Sequence, residues 1–360
     1  MPAIVMTNYY KEEPYRLVQS VVPDGFTLHM PEDAKRESLL RLLEKVDAEY
    51  ILAGGRTKIN EEILSYTPHL KMIQRTGVGM DCMDAQALTA RKIPVYVNAG
   101  VNAVSVAEHT VLLLLSVLRR MTEIDAQMHE GIWKKQENGI RNHELFGKTV
   151  GFVGMGHIGE KTVQMLSGFG VRFLYDAPHQ KPELEKCYGL TRVSYEELLK
   201  NSDIVIFLCA LNDQTRGMLG AEQIAKMKTG SVVINTARGA LIEEKALLEA
   251  LKSGKLSGAG LDVFEKEPPD ADNAFFQMKN VVLSPHIGGV TQESFQRMMR
   301  TAMHNMVLYE LGRTNELEDR LWKQYDKDKS ISERSGTAGR RSVQPAGFRK
   351  TLSGRSTVPV

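Results

Sequence analysis

Cysteine is scarce: Cys82, Cys187 and Cys209 are the only three in 360 residues, and no two form a CxxC pair. That excludes a disulfide framework and fits a reducing compartment, so a cytoplasmic location is expected. An excess of one charge is lacking as well. Lys and Arg number 46 against 44 Asp and Glu, a net charge of +2, which argues against a dedicated nucleic-acid binder. No long hydrophobic run exists. The longest, Val111 to Leu115, continues through Ser116 to Leu118 but lies between Glu108-His109 and Arg119-Arg120. It is too short to span a bilayer and reads as a buried core or interface helix. The N-terminus has no basic stretch leading into an apolar one, so no signal peptide is expected. No repeat of fixed period is present.

What is there is ordinary globular material, 42% hydrophobic and 25% charged, in a length suited to two domains. Short apolar runs alternate with helical stretches. Ala3–Met6, Tyr50–Ala53, Met72–Ile73 and Val95–Val97 fall in the first hundred residues. Val150–Val153, Val171–Tyr175, Ile204–Leu208, Val232–Ile234 and Val281–Leu283 follow. The later runs are continuously apolar rather than alternating, the mark of strands buried on both faces. Residues 103–121 read as one long helix and 290–312 as a closing helix. The class expected is α/β with doubly wound parallel sheets. From Ser330 to Val360 six basic residues meet one acidic residue among many Ser, Gly and Thr, which reads as a disordered tail.

The strongest local signal is Gly154-Met-Gly156-His157-Ile158-Gly159, a GxGxxG set after an apolar strand and before a helix. The first glycine permits a tight turn, the second lets the backbone approach a pyrophosphate, and the third allows close helix–sheet packing. Helix N–H groups then receive the phosphate charge. Asp176 ends the next strand, about 20 residues on, where an acid bonds the adenosine ribose. A carboxylate there repels a 2′-phosphate, and no arginine follows at once, so NAD is favoured over NADP.

Three further segments end predicted strands with reactive groups: Arg238 in NTARG, Glu267 in LDVFEKEP, and His286 in SPHIGG. Ligands of open α/β sheets bind outside the carboxyl ends of the strands. Reducing a 2-oxo acid needs a planar cation for the carboxylate. It also needs a proton donor near neutral pH, with a carboxylate nearby to favour the protonated ring. Taken singly, each residue is equally a turn or surface residue; their order behind the nucleotide turn carries the argument.

These motifs, with Arg75 to Asp81 (RTGVGMD) and Ala107-Glu108-His109, resemble the D-isomer-specific 2-hydroxyacid dehydrogenase family over roughly residues 45–310. The family includes phosphoglycerate, glyoxylate/hydroxypyruvate and D-lactate dehydrogenases. The resemblance implies a discontinuous, flavodoxin-like substrate domain, residues 1–102 and 290–315. A Rossmann NAD-binding domain, 103–289, would follow, with the tail at 316–360. It further implies that Arg238 binds substrate, His286 is the acid/base and Glu267 is its partner. Backbone N–H groups of Val78 and Gly79 would hold the carboxylate. His157 and Ile158 would meet the pyrophosphate, with Cys209, Thr236 and Asp262 at further cofactor positions and Asp262 near the nicotinamide amide. A homodimer is implied through the helix around 103–121, with Trp133 either reaching the partner's active site or packing as an ordinary tryptophan. Two departures stand out. Leu208-Cys209-Ala210-Leu211 lacks the proline frequent at that place, and His157 replaces a frequent Arg or Lys.

Arg56 and Arg75 stand where phosphoglycerate dehydrogenases carry basic residues, so phosphoglycerate/phosphohydroxypyruvate is favoured over glyoxylate, hydroxypyruvate or pyruvate. Gly54, however, occupies a place often held by arginine. A non-enzymatic NADH-sensing protein like the corepressors of this family is the alternative from another class. A formate dehydrogenase is disfavoured, because that family pairs its histidine with Gln where this chain has Glu267.

Overall fold

The computed structural model describes residues 1–55, 57–317 and 321. Their strands form two sheets in which every neighbouring pair is parallel. In the first, β1 (Ala3–Met6), β2 (Thr27–His29), β3 (Tyr50–Ala53), β4 (Met72–Arg75) and β5 (Val95–Tyr96) run in the order β2-β1-β3-β4-β5. The second holds β6 (Thr149–Val153), β7 (Arg172–Asp176), β8 (Thr191–Arg192), β9 (Ile204–Phe207), β10 (Ser231–Asn235), β11 (Leu256–Leu261) and β12 (Val281–Leu283). Its order is β12-β11-β10-β9-β6-β7-β8. The strand order of the second sheet reverses between β6 and β9, the place where a doubly wound sheet opens a crevice for ligand. The two doubly wound parallel sheets match the expectation from the sequence.

Every residue of β6, β9 and β10 is buried. Helices cover both faces of these strands, and that is why their sequence is apolar throughout. One cover is the helix Ala103–Arg119, whose Leu113, Leu114 and Leu118 join Ile234 and Val282 in one core. It is shorter than the single helix expected over 103–121. Arg120 takes left-handed φ and ψ of 49° and 38°, and a separate helix, Met121–His129, sets off from it.

The closing helix Gln292–Glu310 returns to the first sheet. Met299, Ala302, Met303 and Met306 pack with Ile4, Met6, Tyr50 and Leu52. A buried chain of amides fixes the docking. Asn305 Nδ2 donates to Gln74 Oε1 (2.9 Å), Gln74 Nε2 to Asn98 Oδ1 (3.1 Å), and Asn98 Nδ2 to the Met298 carbonyl (2.9 Å). At the far end Lys71 pairs with both Glu49 (2.8 Å) and Glu310 (3.0 Å).

The polar tail expected from residue 316 begins too early. Glu316 pairs with Arg313, Leu317 is fully buried in the same core, and Leu321 bridges to Tyr96. Two leucines four apart anchor this stretch; the rest of the expected tail lies outside the described residues. Among the described residues no helix is long and apolar enough to cross a membrane. Among them, too, no group of three or more His, Cys, Asp or Glu could hold a metal ion.

Candidate active site

The glycine turn sits at the reversal of the second sheet. Gly154 has φ of 95°, and a Cβ there would lie 2.7 Å from the Cys209 backbone nitrogen at the end of β9. Only glycine tolerates both conditions. Its N–H donates to the Asp176 carbonyl (2.8 Å), locking the turn to the end of β7. Gly156 caps the helix His157–Leu166 and faces open space. The backbone N–H groups of Gly156, His157 and Ile158 have no acceptor among the described residues. Gly159 is buried against Met155, whose Sδ would lie 2.9 Å from an added Cβ. A bare, open helix N-terminus of this kind suits a pyrophosphate. Burial pushes the Asp176 carboxyl up from its ordinary range, with the Arg192 charge opposing. Arg192 donates to the carbonyls of Ala177 (2.9 Å) and Pro178 (3.2 Å). Sequence reading missed this arginine, since it arrives from β8 rather than directly after Asp176.

Cys209 stands behind the turn, and burial pushes its thiol up to about 11. The Cys82 thiol is raised by burial too, so both favour the thiol over the nucleophilic thiolate. Thr236 is buried with its hydroxyl 2.8 Å from that of Thr110. His157 packs near Gly100, where an added Cβ would lie 3.2 Å from the imidazole ring.

The neighbouring ends of β10, β11 and β12 carry the reactive groups. Asn235 clamps the turn after β10, donating to the Arg238 carbonyl (2.9 Å) and accepting from the Ala237 N–H (3.0 Å). Gly239 lies against the Phe264 backbone; an added Cβ would be 1.9 Å from its carbonyl carbon. That approach brings the Arg238 turn against the segment bearing Glu267. After β11 the buried Asp262 carboxylate organises the loop after β12. It accepts from Ser284 Oγ (2.6 Å) and from the N–H groups of Ile287 (2.9 Å) and Gly288 (2.8 Å). Burial opposes the charge of Asp262, but bonds from His109, Ser284 and the two backbone N–H groups outweigh it and hold its carboxyl below the usual range.

The loop wrapped on Asp262 presents His286 with φ of 57°, a left-handed conformation uncommon for a residue with a side chain. His286 Nδ1 meets Glu267 Oε2 at 2.7 Å, while Glu267 Oε1 accepts from the Phe264 N–H (3.1 Å). His286 Nε2 has no hydrogen-bond partner among the described residues and is the nitrogen left for an incoming oxygen. His109, within Ala107-Glu108-His109, and Ser284, within SPHIGG, were given no role by the sequence, yet they join at 2.7 Å and complete the support beneath this loop.

Arg238 crosses to the loop after β4. Its Nε donates to Asp81 Oδ1 (3.1 Å), and a Cβ on Gly79 would lie 1.7 Å from its Nη2. The Val78 and Gly79 N–H groups have no acceptor among the described residues, and Val78 is exposed. A guanidinium and two free N–H groups thus adjoin, a set that can receive a carboxylate. Asp81 was missed as a functional residue, because nothing in the sequence links it to an arginine 157 positions away. Burial opposes ionisation of Asp81, but the Arg238 charge and hydrogen bond prevail and lower its carboxyl.

Arg75 departs from the phosphate-facing role expected of it. It is 1% exposed, and Nε and Nη2 donate to the Gly79 carbonyl (3.0 and 2.7 Å) while Nη1 donates to that of Gly54 (2.5 Å). A buried guanidinium needs such partners, and here they shape the Gly79 loop from beneath. Arg56, the other basic residue expected at the substrate, lies outside the described residues.

The geometry joins a pyrophosphate-ready turn to an Arg, Glu, His set at adjoining strand ends, the equipment of a nicotinamide-dependent dehydrogenase. Residues 111–288 match the D-isomer specific 2-hydroxyacid dehydrogenase, NAD binding domain. The glyoxylate reductase of Thermococcus litoralis is 35% identical over 317 residues, covering 86% of this chain and 94% of that one. The D-3-phosphoglycerate dehydrogenase of Methanocaldococcus jannaschii is 39% identical over 301 residues, 82% of this chain but 55% of that one. This chain therefore spans about half the length of that longer relative. The crystal structure of D-lactate dehydrogenase from Aquifex aeolicus, complexed with NAD and lactic acid, is 27% identical. It superposes with a TM-score of 0.77 over 89% of this chain and 98% of that one. The chain belongs to the D-isomer specific 2-hydroxyacid dehydrogenase family and is an NAD-dependent oxidoreductase.

Proposed function

We propose that the enzyme reduces a small, unphosphorylated 2-oxo acid, glyoxylate or hydroxypyruvate, to the corresponding 2-hydroxy acid at the cleft between a substrate domain (1–102 and 290–315) and the NAD domain (103–289). One observation carries the choice of substrate. The Arg75 guanidinium is 1% exposed, and its Nε, Nη1 and Nη2 each donate to a carbonyl of Gly54 or Gly79, so it is sealed inside the domain rather than open to a substrate phosphate. The end-to-end match to a glyoxylate reductase supports the same reading.

In this reading Arg238 and the N–H groups of Val78 and Gly79 bind the substrate carboxylate. Asp81 steers the guanidinium from the far side. His286 Nε2 donates a proton to the carbonyl oxygen, and Glu267 fixes the ring through Nδ1. The nicotinamide, when bound, supplies the hydride. Gly156, His157 and Ile158 hold the pyrophosphate, Asp176 the ribose, and Cys209 and Thr236 line the cofactor's path. Asp262 shapes the His286 loop from below. NADH oxidation by the purified protein against glyoxylate, hydroxypyruvate, pyruvate and phosphohydroxypyruvate tests the substrate. The highest kcat/KM is expected with glyoxylate or hydroxypyruvate; a clear preference for phosphohydroxypyruvate overturns the choice.

Asp176 is the proposed selector between the two nicotinamide cofactors. Asp176→Ala removes a charged acceptor and leaves Arg192 as the nearest charged group. Loss of a hydrogen bond to a charged group corresponds to roughly 10- to 100-fold weaker NADH binding. NADPH binding should meanwhile hold or improve. An unchanged ratio of the two dissociation constants would remove Asp176 from that role.

The chain is further proposed to act as a cytoplasmic homodimer. Trp133, Ile140 and Phe146 are 76%, 81% and 75% exposed, and Leu112 on the long helix is exposed as well. Trp133 is no internal packing residue, and an apolar surface of this kind is expected to be covered.

A further inference from the structure

The helix Ala103–Arg119 meets the loops at the strand ends through three polar ties. Ser105 Oγ lies 3.2 Å from Thr291 Oγ1, which caps the closing helix, and Thr110 Oγ1 lies 2.8 Å from Thr236 Oγ1 in the Arg238 turn. Between them His109 Nε2 lies 2.7 Å from Ser284 Oγ, and Ser284 Oγ lies 2.6 Å from Asp262 Oδ1. His109 Nε2 is itself 3.4 Å from that oxygen, and its side chain is 14% exposed. The packing is close as well. A Cβ on Gly288 would lie 2.9 Å from Asp262 Oδ2 and 3.1 Å from His109 Cδ2, so the edge of the imidazole lies against the loop after β12.

The direction of this chain follows from its protons. A serine hydroxyl has one hydrogen to donate. The Asp262 carboxyl is held below its usual range, so it accepts only, and Ser284 donates its hydrogen there. Turning that hydrogen to His109 instead would set two oxygens with bare lone pairs 2.6 Å apart. Ser284 Oγ therefore accepts from His109, and the imidazole carries a proton on Nε2. The N–H groups of Ile287 and Gly288 complete the donors to Asp262. These two groups immediately follow His286, whose φ of 57° persists only where surrounding bonds enforce it.

We propose, resting on the role given above to His286, that His109 is a positioning residue for proton transfer: its Nε2–H, relayed through Ser284 to Asp262, holds the loop that aims His286 at the substrate. Of the bonds that oppose burial at Asp262, the one from His109 is the strongest. Without it the carboxyl rises, and a protonated carboxyl holds two backbone N–H groups less firmly than a carboxylate does. The other charged groups about Asp262 are engaged or exposed. Arg238, on the neighbouring strand end, is bonded to Asp81, Glu267 is bonded to His286, and Glu108 on the helix is exposed.

The test compares His109→Leu with His109→Gln, whose amide keeps a donor at a similar reach. Steady-state rates are measured from about pH 5 to about pH 9, across the histidine range, with whichever 2-oxo acid the wild type reduces. His109→Leu should lower kcat by about tenfold or more, because small displacements of a catalytic group are costly. KM for the 2-oxo acid, set by Arg238 and the Val78 and Gly79 N–H groups, should stay within about threefold. Activity of His109→Leu should fall toward acid at a higher pH than in the wild type, since a less supported Asp262 protonates sooner. His109→Gln should restore both kcat and the acid limb, which a merely space-filling histidine would not require. Ser284→Ala breaks the same chain at its middle, should reproduce the leucine phenotype and should add little to it in the double variant. It decides the matter if His109→Leu fails to fold. A mild His109→Leu with an unchanged acid limb, beside a severe His286→Asn, overturns the proposal alone; if both are mild, the role of His286 falls with it. A glutamine variant no better than leucine overturns it too. Nitrogen-15 imidazole spectra give a readout that needs no turnover: His109 should carry its proton on Nε2, and the His286 signals should move in His109→Leu but not in His109→Gln. A bare His109 Nε2, or unmoved His286 signals in His109→Leu, overturns the proposal even in a protein that reduces none of the acids tried.

Discussion

His286→Asn should leave a folded protein that binds NADH normally and reduces its 2-oxo acid on the order of 10²- to 10⁴-fold more slowly. That range is the usual contribution of a positioned general acid. The argument starts with the nitrogen count. His286 Nδ1 is committed to Glu267 at 2.7 Å, so Nε2 is the one ring nitrogen left to meet substrate. Asparagine can still reach toward Glu267 but carries no proton that a carbonyl oxygen can take. The loop should survive, because Asp262, not the imidazole, organises it through Ser284, Ile287 and Gly288. One strain is retained in the variant, the φ of 57° at position 286, and asparagine tolerates that region well. Steady-state kcat with glyoxylate or hydroxypyruvate, alongside an NADH titration, provides the check. A variant with kcat within threefold of wild type would remove His286 from proton transfer. Loss of NADH binding would show instead that the loop had collapsed.

Much of the second sheet was legible because parallel strands buried on both faces leave an unmistakable apolar run, as in Ile204–Phe207. β11 did not leave one. Its sequence, LSGAGL, is small because the long helix presses on it. Cβ atoms on Gly258 and Gly260 would lie 2.7 Å from Val117 Cγ1 and 3.0 Å from Leu113 Cβ. The strand is therefore defined by what packs on it, which no local pattern records. The same holds for the break at Arg120. The apolar stripe runs to Leu118 with no glycine or proline to announce a corner, and the left-handed residue is an arginine.

The reactive groups were more readable than their supports. Arg238 and His286 each follow a legible strand, and the strand-end rule singles such positions out; Glu267 was read from its own segment, Leu261 to Pro268. Arg75 ends a strand too, and the same rule aims it at substrate. Charged side chains are seldom buried unless paired, and its partners are backbone carbonyls of Gly54 and Gly79, invisible in a sequence. Asp81 and His109 have the converse problem. Each was quoted within a motif, but its partner, Arg238 or Ser284, sits more than a hundred positions away and is brought near only by the fold.

Gly79→Ala probes the carboxylate site without removing any charged group. An alanine Cβ would lie 1.7 Å from Arg238 Nη2 and 2.8 Å from Asp81 Oδ1. Both are ends of flexible side chains, so the clash is relieved by moving the guanidinium rather than the backbone. The fold should hold, with a Tm within a few degrees of wild type, because a single surface-loop methyl group costs little when its neighbours can move. Arg238 then loses its station over the Val78 and Gly79 N–H groups, and the substrate carboxylate loses part of a bidentate contact. KM for the 2-oxo acid should rise by roughly tenfold or more, with NADH affinity unaltered. Arg238→Gln removes the guanidinium itself and should lower kcat/KM by roughly 10²- to 10³-fold, the equivalent of two charge-assisted hydrogen bonds. Asp81→Asn belongs between them, since it keeps the guanidinium and weakens only its anchor at 3.1 Å. The order of the three variants is the decisive feature. If Arg238→Gln is mild while Gly79→Ala is severe, the methyl group acts on the backbone N–H groups alone, and Arg238 is an interdomain tie to Asp81 rather than the receptor of the carboxylate.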